Sequence, residues 1–193
     1  MKILAKERAE RQSEDSYQWR LDEMKESQED SVKDSIERLI KTEIAKKMMS
    51  HDYKRAMEAV VYLTKTTTNV AYQSQIRELY DVLMKWLLLR LWGGQTGFVH
   101  SIELVVPVLS ILEKKKLALT DFEVDLVMTI LREYFLSAFM LGNKLSESVH
   151  SIIKCLVALN SGDKVLRKLL KQFYFEPTSI HKHMRKDSAL FYR

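Results

Sequence analysis

The chain has 193 residues, 46% hydrophobic and 30% charged, which is enough for one domain with a sizeable core. With only 5 Gly and 2 Pro it lacks the turns of an all-β fold, and it reads as mostly helical. Net charge is +5, and a single cysteine, Cys155, excludes an intramolecular disulfide and zinc sites built on paired cysteines.

The start, "MKILAKERAERQ", has too short an apolar stretch for a signal peptide. The longest apolar run, around 83–92, is interrupted by Lys85 and Arg90 and is too short to span a bilayer. The expectation is a reducing, cytoplasmic setting without a membrane partner.

Residues 1–29 alternate charges with few apolar anchors and read as an exposed helix or a linker. Trp19 stands out there and is expected to pin this lead-in onto the body. From Ser31 the spacing becomes helical: Val32, Ile36, Leu39, Ile40, Ile44 and Met48 fall on one stripe, and "SVKD" offers a capping-box-like start. "SHD" at 50–52 breaks the pattern, with Asp52 as N-cap. A second helix follows, with Tyr53, Ala56, Met57, Val60 and Leu63 inward, making an antiparallel hairpin. "TKTTTNV" should close it, because clustered β-branched residues and Asn are poor helix formers.

"YQSQIRELYDVLMKWLLLRLW" is a third helix, apolar nearly all round after Leu83 and therefore central. "GGQTG" (93–97) ends it. This is no phosphate loop, since Phe98 follows Gly97 where a lysine is needed and no strand precedes. The fourth helix, "FVHSIELVVPVLSILEKKK", should kink at Pro107. "LALTDFEVDLVMTILREYF" is a fifth, with Thr120 and Glu123 forming a capping box. After the break "LGNKLSES" come a sixth helix, "SVHSIIKCLVALN", and a seventh, "SGDKVLRKLLKQFYF". Hairpins recur at roughly 40 to 48 residues, the period of HEAT- or armadillo-type repeats. The fold expected is all-α, an α-solenoid of about three antiparallel pairs plus one helix.

Chemistry is sparse. Cys155 sits among apolar neighbours as a small core residue, and "HKH" (181–183) lacks a third metal ligand. The acids of "TDFEVD" suit capping better than acid/base work. No catalytic residue, cofactor or metal is implied, and no enzyme. Lys164–Arg193 carries eight Lys/Arg against Glu176 and Asp187, a local +6 that fits an acidic partner or a solvated face with a loose tail. Nucleic acid is disfavoured: neither interleaved aromatics nor a recognition helix is present.

In sequence, "MMSHDYKRAMEAVVYL", "LMKWLLLRLWGGQTGFVHSIELV" and "LALTDFEVDLVMTIL" resemble the TOG domain, the tubulin-binding HEAT-repeat module of microtubule polymerases. The likeness is greatest to the last, fifth TOG domain of the Mini spindles-type family, and "KWLLLRLW" (85–92) carries its signature. It covers the first half of such a domain, about residues 19–160. The resemblance implies a lead-in over 1–29, a TOG-like domain over 30–175 and a basic tail over 176–193. It also implies that the turns inside each helix pair form one tubulin-gripping edge. The site residues carried over are Tyr53, Lys54, Trp92, Gln95, Asn143 and Lys144. The implied role is in microtubule dynamics or spindle organisation, at the cytoskeleton. The alternative is a HEAT-repeat scaffold that has lost tubulin and binds other proteins through an open solenoid end; the missing repeats and the uncharged flank of the third turn, Val149 and His150, favour it.

Overall fold

A computed structural model describes residues 2–14, 19, 26–92, 98–114, 116, 118–141 and 143–171. Among them the fold is all-α, with ten α-helices, one 3-10 segment and no strand. The helices are α1 (Lys2–Glu14), α2 (Glu26–Leu39), α3 (Thr42–Met48), α4 (Tyr53–Thr68), α5 (Val70–Glu78) and α6 (Tyr80–Trp92). A 3-10 segment (Phe98–Leu104) leads into α7 (Val105–Lys114), followed by α8 (Asp121–Leu141), α9 (Asn143–Leu159) and α10 (Gly162–Leu170).

The helices pack in two rows. In one, α2 lies on α6, α6 on α8 and α8 on α10; in the other, α4 lies on the 3-10 segment and α7, and α7 on α9. The rows meet where α3 packs on α4, α5 on α7 and α8 on α9. At their centre is α6, in which every residue from Tyr80 to Arg90 is buried, the apolar ones all round the helix and Asp81, Lys85 and Arg90 with polar or aromatic partners. A fully buried side chain such as Trp86 or Leu88 contributes roughly 1.5–3 kcal/mol, so this helix dominates the core.

Several boundaries differ from those the sequence suggests. Helix α2 starts at Glu26, not Ser31: Glu26 and Glu29 occupy its first turn, where the helix dipole favours acids, and Gln28 extends the buried stripe of Val32 and Ile36. Ser31 is mid-helix, its carbonyl accepting from the Ser35 hydroxyl at 2.9 Å. The expected helix over 31–49 is broken at Ile40–Lys41.

The threonine-rich end of α4 stays helical through Thr68. The hydroxyls of Thr64, Thr66, Thr67 and Thr68 each donate to a carbonyl three or four residues back, turning competing side chains inward to the helix's own backbone. The junction is a single residue, Asn69, which ends α4 and caps α5 by accepting from the Ala71 amide at 3.0 Å.

The expected third helix is split at Leu79 without any glycine or proline. The cause is tertiary: the Arg11 guanidinium donates to the Glu78 carbonyl at 2.8 Å, taking an acceptor that a continuous helix would use internally. Pro107 does not kink a long helix. It lies third in α7, where the missing N–H falls among the first-turn donors that have no intrahelical acceptor, and the preceding segment is 3-10 instead. Helix α9 begins at Asn143, five residues ahead of the expected start.

Local caps match their sequence signals. The Asp52 carboxylate accepts from the Lys54 amide at 2.9 Å, and Thr120 and Glu123 form the reciprocal box, at 3.2 and 2.9 Å. Trp19 is buried in the core, and the Lys85 ammonium lies 5.2 Å from its ring centre and 5.0 Å from that of Phe122.

Candidate functional site

The first corner, between α3 and α4, is built from short-range hydrogen bonds. The Ser50 amide donates to the Lys47 carbonyl at 3.2 Å, the Asp52 amide to the Ser50 hydroxyl at 3.1 Å, and the Lys54 amide to Asp52. Tyr53 therefore opens α4 at the surface, 37% exposed, rather than on the inward stripe of Ala56, Val60 and Leu63. Lys54 is exposed beside it, as are His51 and Arg55. Over residues 46–58 there are four Lys/Arg against Asp52 and Glu58, and Glu58 is engaged by Lys47 at 2.7 Å.

This corner is tied to α6. The Trp86 indole N–H donates to the Met48 carbonyl at 2.9 Å, and the Arg90 guanidinium donates to the same oxygen. Both donors sit on one face of α6, four residues apart. Burial lowers the Arg90 pKa from its ordinary value, and the nearby Glu29 carboxylate opposes that shift. Trp92 ends α6 two residues beyond Arg90; its side chain lies outside the described residues, as does Gln95 with the whole of "GGQTG". Asn143 and Lys144 open α9, so the third corner is tighter than the expected loop; their side chains too are outside the described residues.

A second polar assembly sits at the opposite ends of α6 and α8, built on partners far apart in the chain and so without a local signal. Helix α1 packs on α5 there, with Arg11 gripping both oxygens of Asp81 at 2.9 and 3.1 Å. Arg8 pairs with Glu123 and lies 3.8 Å from Glu78. Gln12 donates to Glu123 at 3.0 Å and accepts from the Thr120 hydroxyl at 2.9 Å. The side chains of Asp81 and Glu123 are fully buried. The fully buried Tyr80 hydroxyl is pushed well above its ordinary pKa, by burial first and the Glu123 charge second, and stays neutral. Arginine–carboxylate neutralisation accounts for this cluster without catalysis. The starts of α6 and α8 lie side by side under α1, and the two helices pack on each other.

Part of the basic C-terminal excess is spent within the fold. Lys164 pairs with Asp121 and Lys168 with Asp125, docking α10 on α8, and Arg167 pairs with Asp163 at 2.8 Å. The tail over 176–193, including "HKH", lies outside the described residues. Cys155 is buried with its thiol on Glu113 at 3.3 Å; burial, then this carboxylate, pushes its pKa up, against a nucleophile's needs. Among the described residues no group of His, Cys, Asp and Glu could hold a metal ion, and no helix is long and apolar enough to cross a membrane.

No protein-family model, no curated protein and no solved structure matches this chain.

Proposed function

We propose that this chain is a tubulin- or microtubule-binding module, a half-length TOG-like solenoid acting in microtubule dynamics or spindle organisation at the cytoskeleton. The observation that carries the reading is the first corner: an exposed aromatic ring, Tyr53, beside the cations Lys54 and Arg55, on a turn pinned to the end of the central helix. An aromatic anchor with flanking cations is the chemistry of a compact hot spot on an acidic partner, with electrostatic steering of the encounter. Support also comes from the contacts between successive helices, which are compatible with HEAT-type pairing, and from the packing of α6 on α8 with their starts under α1. Trp92, Gln95, Asn143 and Lys144 complete the proposed edge, and the basic tail adds nonspecific attraction to an acidic lattice.

The test is gel filtration of the full chain with soluble tubulin. Tyr53→Ala combined with Lys54→Ala should abolish co-elution, a loss of about 2 kcal/mol or more if the pair is a hot spot. Unchanged co-elution removes these residues from the site.

A second reading, a scaffold for other proteins, is favoured by one observation. Val157 on α9 and Leu166 and Leu170 on α10 are exposed, the last two one turn apart on one face of their helix. Capture of other proteins by the chain, with tubulin absent from the recovered set, would favour that reading.

A further inference from the structure

We infer that Trp86 and Arg90 are positioning residues that preset the corner carrying Tyr53 and Lys54, an inference that rests on the tubulin-edge reading above. Helix α3 has seven residues, too few to hold its own end. Its last-turn carbonyl at Met48 has no intrahelical partner, and Met48 is fully buried. Two donors converge on that one oxygen, the Trp86 indole at 2.9 Å and the Arg90 guanidinium, filling both lone pairs. The cation also meets the negative end of the α3 dipole.

From Met48 the constraint passes along the chain without a gap. Met49 donates to Ala45, Ser50 to Lys47, Asp52 to the Ser50 hydroxyl and Lys54 to the Asp52 carboxylate. Only residues 49–52 separate the clamped carbonyl from Tyr53, so its position is set by the clamp. Stability alone would be served as well by an apolar residue at position 90, because a buried guanidinium pays a desolvation cost that packing does not. What the arginine adds is direction: a fixed fork that selects one geometry for the end of α3. Within "KWLLLR" the three residues with polar ends thus divide the work. Lys85 holds Trp19 and Phe122, while Trp86 and Arg90 hold the corner.

The experiment uses the full chain in four variants: Arg90→Met, Arg90→Lys, Trp86→Phe and, as a packing control, Leu88→Ala. Two readouts are taken, hydrogen exchange of amides 49–56 and affinity for soluble tubulin. Arg90→Met and Trp86→Phe should each speed exchange at the corner by about tenfold, the size of one hydrogen bond, and weaken tubulin by a similar factor. Arg90→Lys, which keeps the charge and loses the fork, should recover only a small part of either. Leu88→Ala should lower the melting temperature while leaving the corner's exchange and the affinity near wild type. Should Arg90→Met fail to fold, Trp86→Phe carries the test: it keeps an aromatic side chain and removes the donor, and Leu88→Ala controls for the ring volume lost with it. Corner exchange unchanged in both clamp variants, or moved equally by Leu88→Ala, overturns the positioning role. Corner exchange that responds as expected in a chain whose wild type binds no tubulin upholds the clamp and overturns the functional reading instead.

Discussion

Asp52 does the work of a helix start with one carboxylate, accepting from the Lys54 amide while its own amide is taken by Ser50. Its role was legible because a cap is local: donor and acceptor lie two residues apart, and "SHD" before an apolar stripe announces it. Asp52→Ala should cost about 1 kcal/mol, read as a lower urea midpoint at unchanged slope. Thr120 and Glu123 were legible for the same reason. Ser31 misled because the residues before it are all polar, so the true start at Glu26, marked only by early acids and the buried Gln28, carries no hydrophobic signal. Tyr53 shows the same limit from the other side. It fits the apolar spacing of α4, yet the stripe turns inward only from Ala56, and exposure was not written in its spacing.

Among the elements, α1 is the one periodicity could not place. Its sequence alternates charges and buries no obvious stripe, yet Arg8, Arg11 and Gln12 reach carboxylates 70 to 115 residues away. Such partners are invisible in a local window; only the fold brings Glu78, Asp81 and Glu123 under one helix. The same contact breaks α5 from α6 at Leu79, a boundary with no local cause. Removing one member strands a buried charge, so Arg11→Met should destabilise by about 3 kcal/mol in urea unfolding. Adding Asp81→Leu should return a large part of that loss, because the stranded carboxylate is gone. No recovery in the double variant would mean that the helix is held by something other than this pair.

Helix α10 is held differently, by ion pairs near the surface. The Lys164 ammonium, by hydrogen bond and charge, lowers the Asp121 pKa from its ordinary value. A carboxylate depressed in the folded state contributes stability above its unfolded pKa and loses it as pH falls through the folded value. The docking of α10 on α8 should therefore loosen on acidification through the carboxylate range and not on going alkaline. The effect should be below about 1 kcal/mol and should fade with added salt, since Asp121 is largely exposed. Amide exchange in α10 against pH, at low and high salt, reads this directly.

At the scale of the whole molecule, the all-helical class was legible from apolar spacing, and so was the central place of α6, whereas the seven helices expected stand as ten among the described residues. What spacing cannot give is which ends lie together. That is fixed by long-range polar contacts: α1 across the starts of α6 and α8, and Trp86 with Arg90 across the end of α3. Together these contacts fix the starts of α6 and α8 under α1 and hold the first corner, with Tyr53 and Lys54, against α6.

The most direct measurement of the proposed binding at that corner is a titration of fluorescently labelled tubulin with the full chain, followed by anisotropy, for wild type and for Tyr53→Ala with Lys54→Ala. Saturable binding by the wild type that weakens at least about thirtyfold in the double variant, the size of a hot spot, is the predicted result. Binding of equal strength by the two proteins, or none by either, contradicts it.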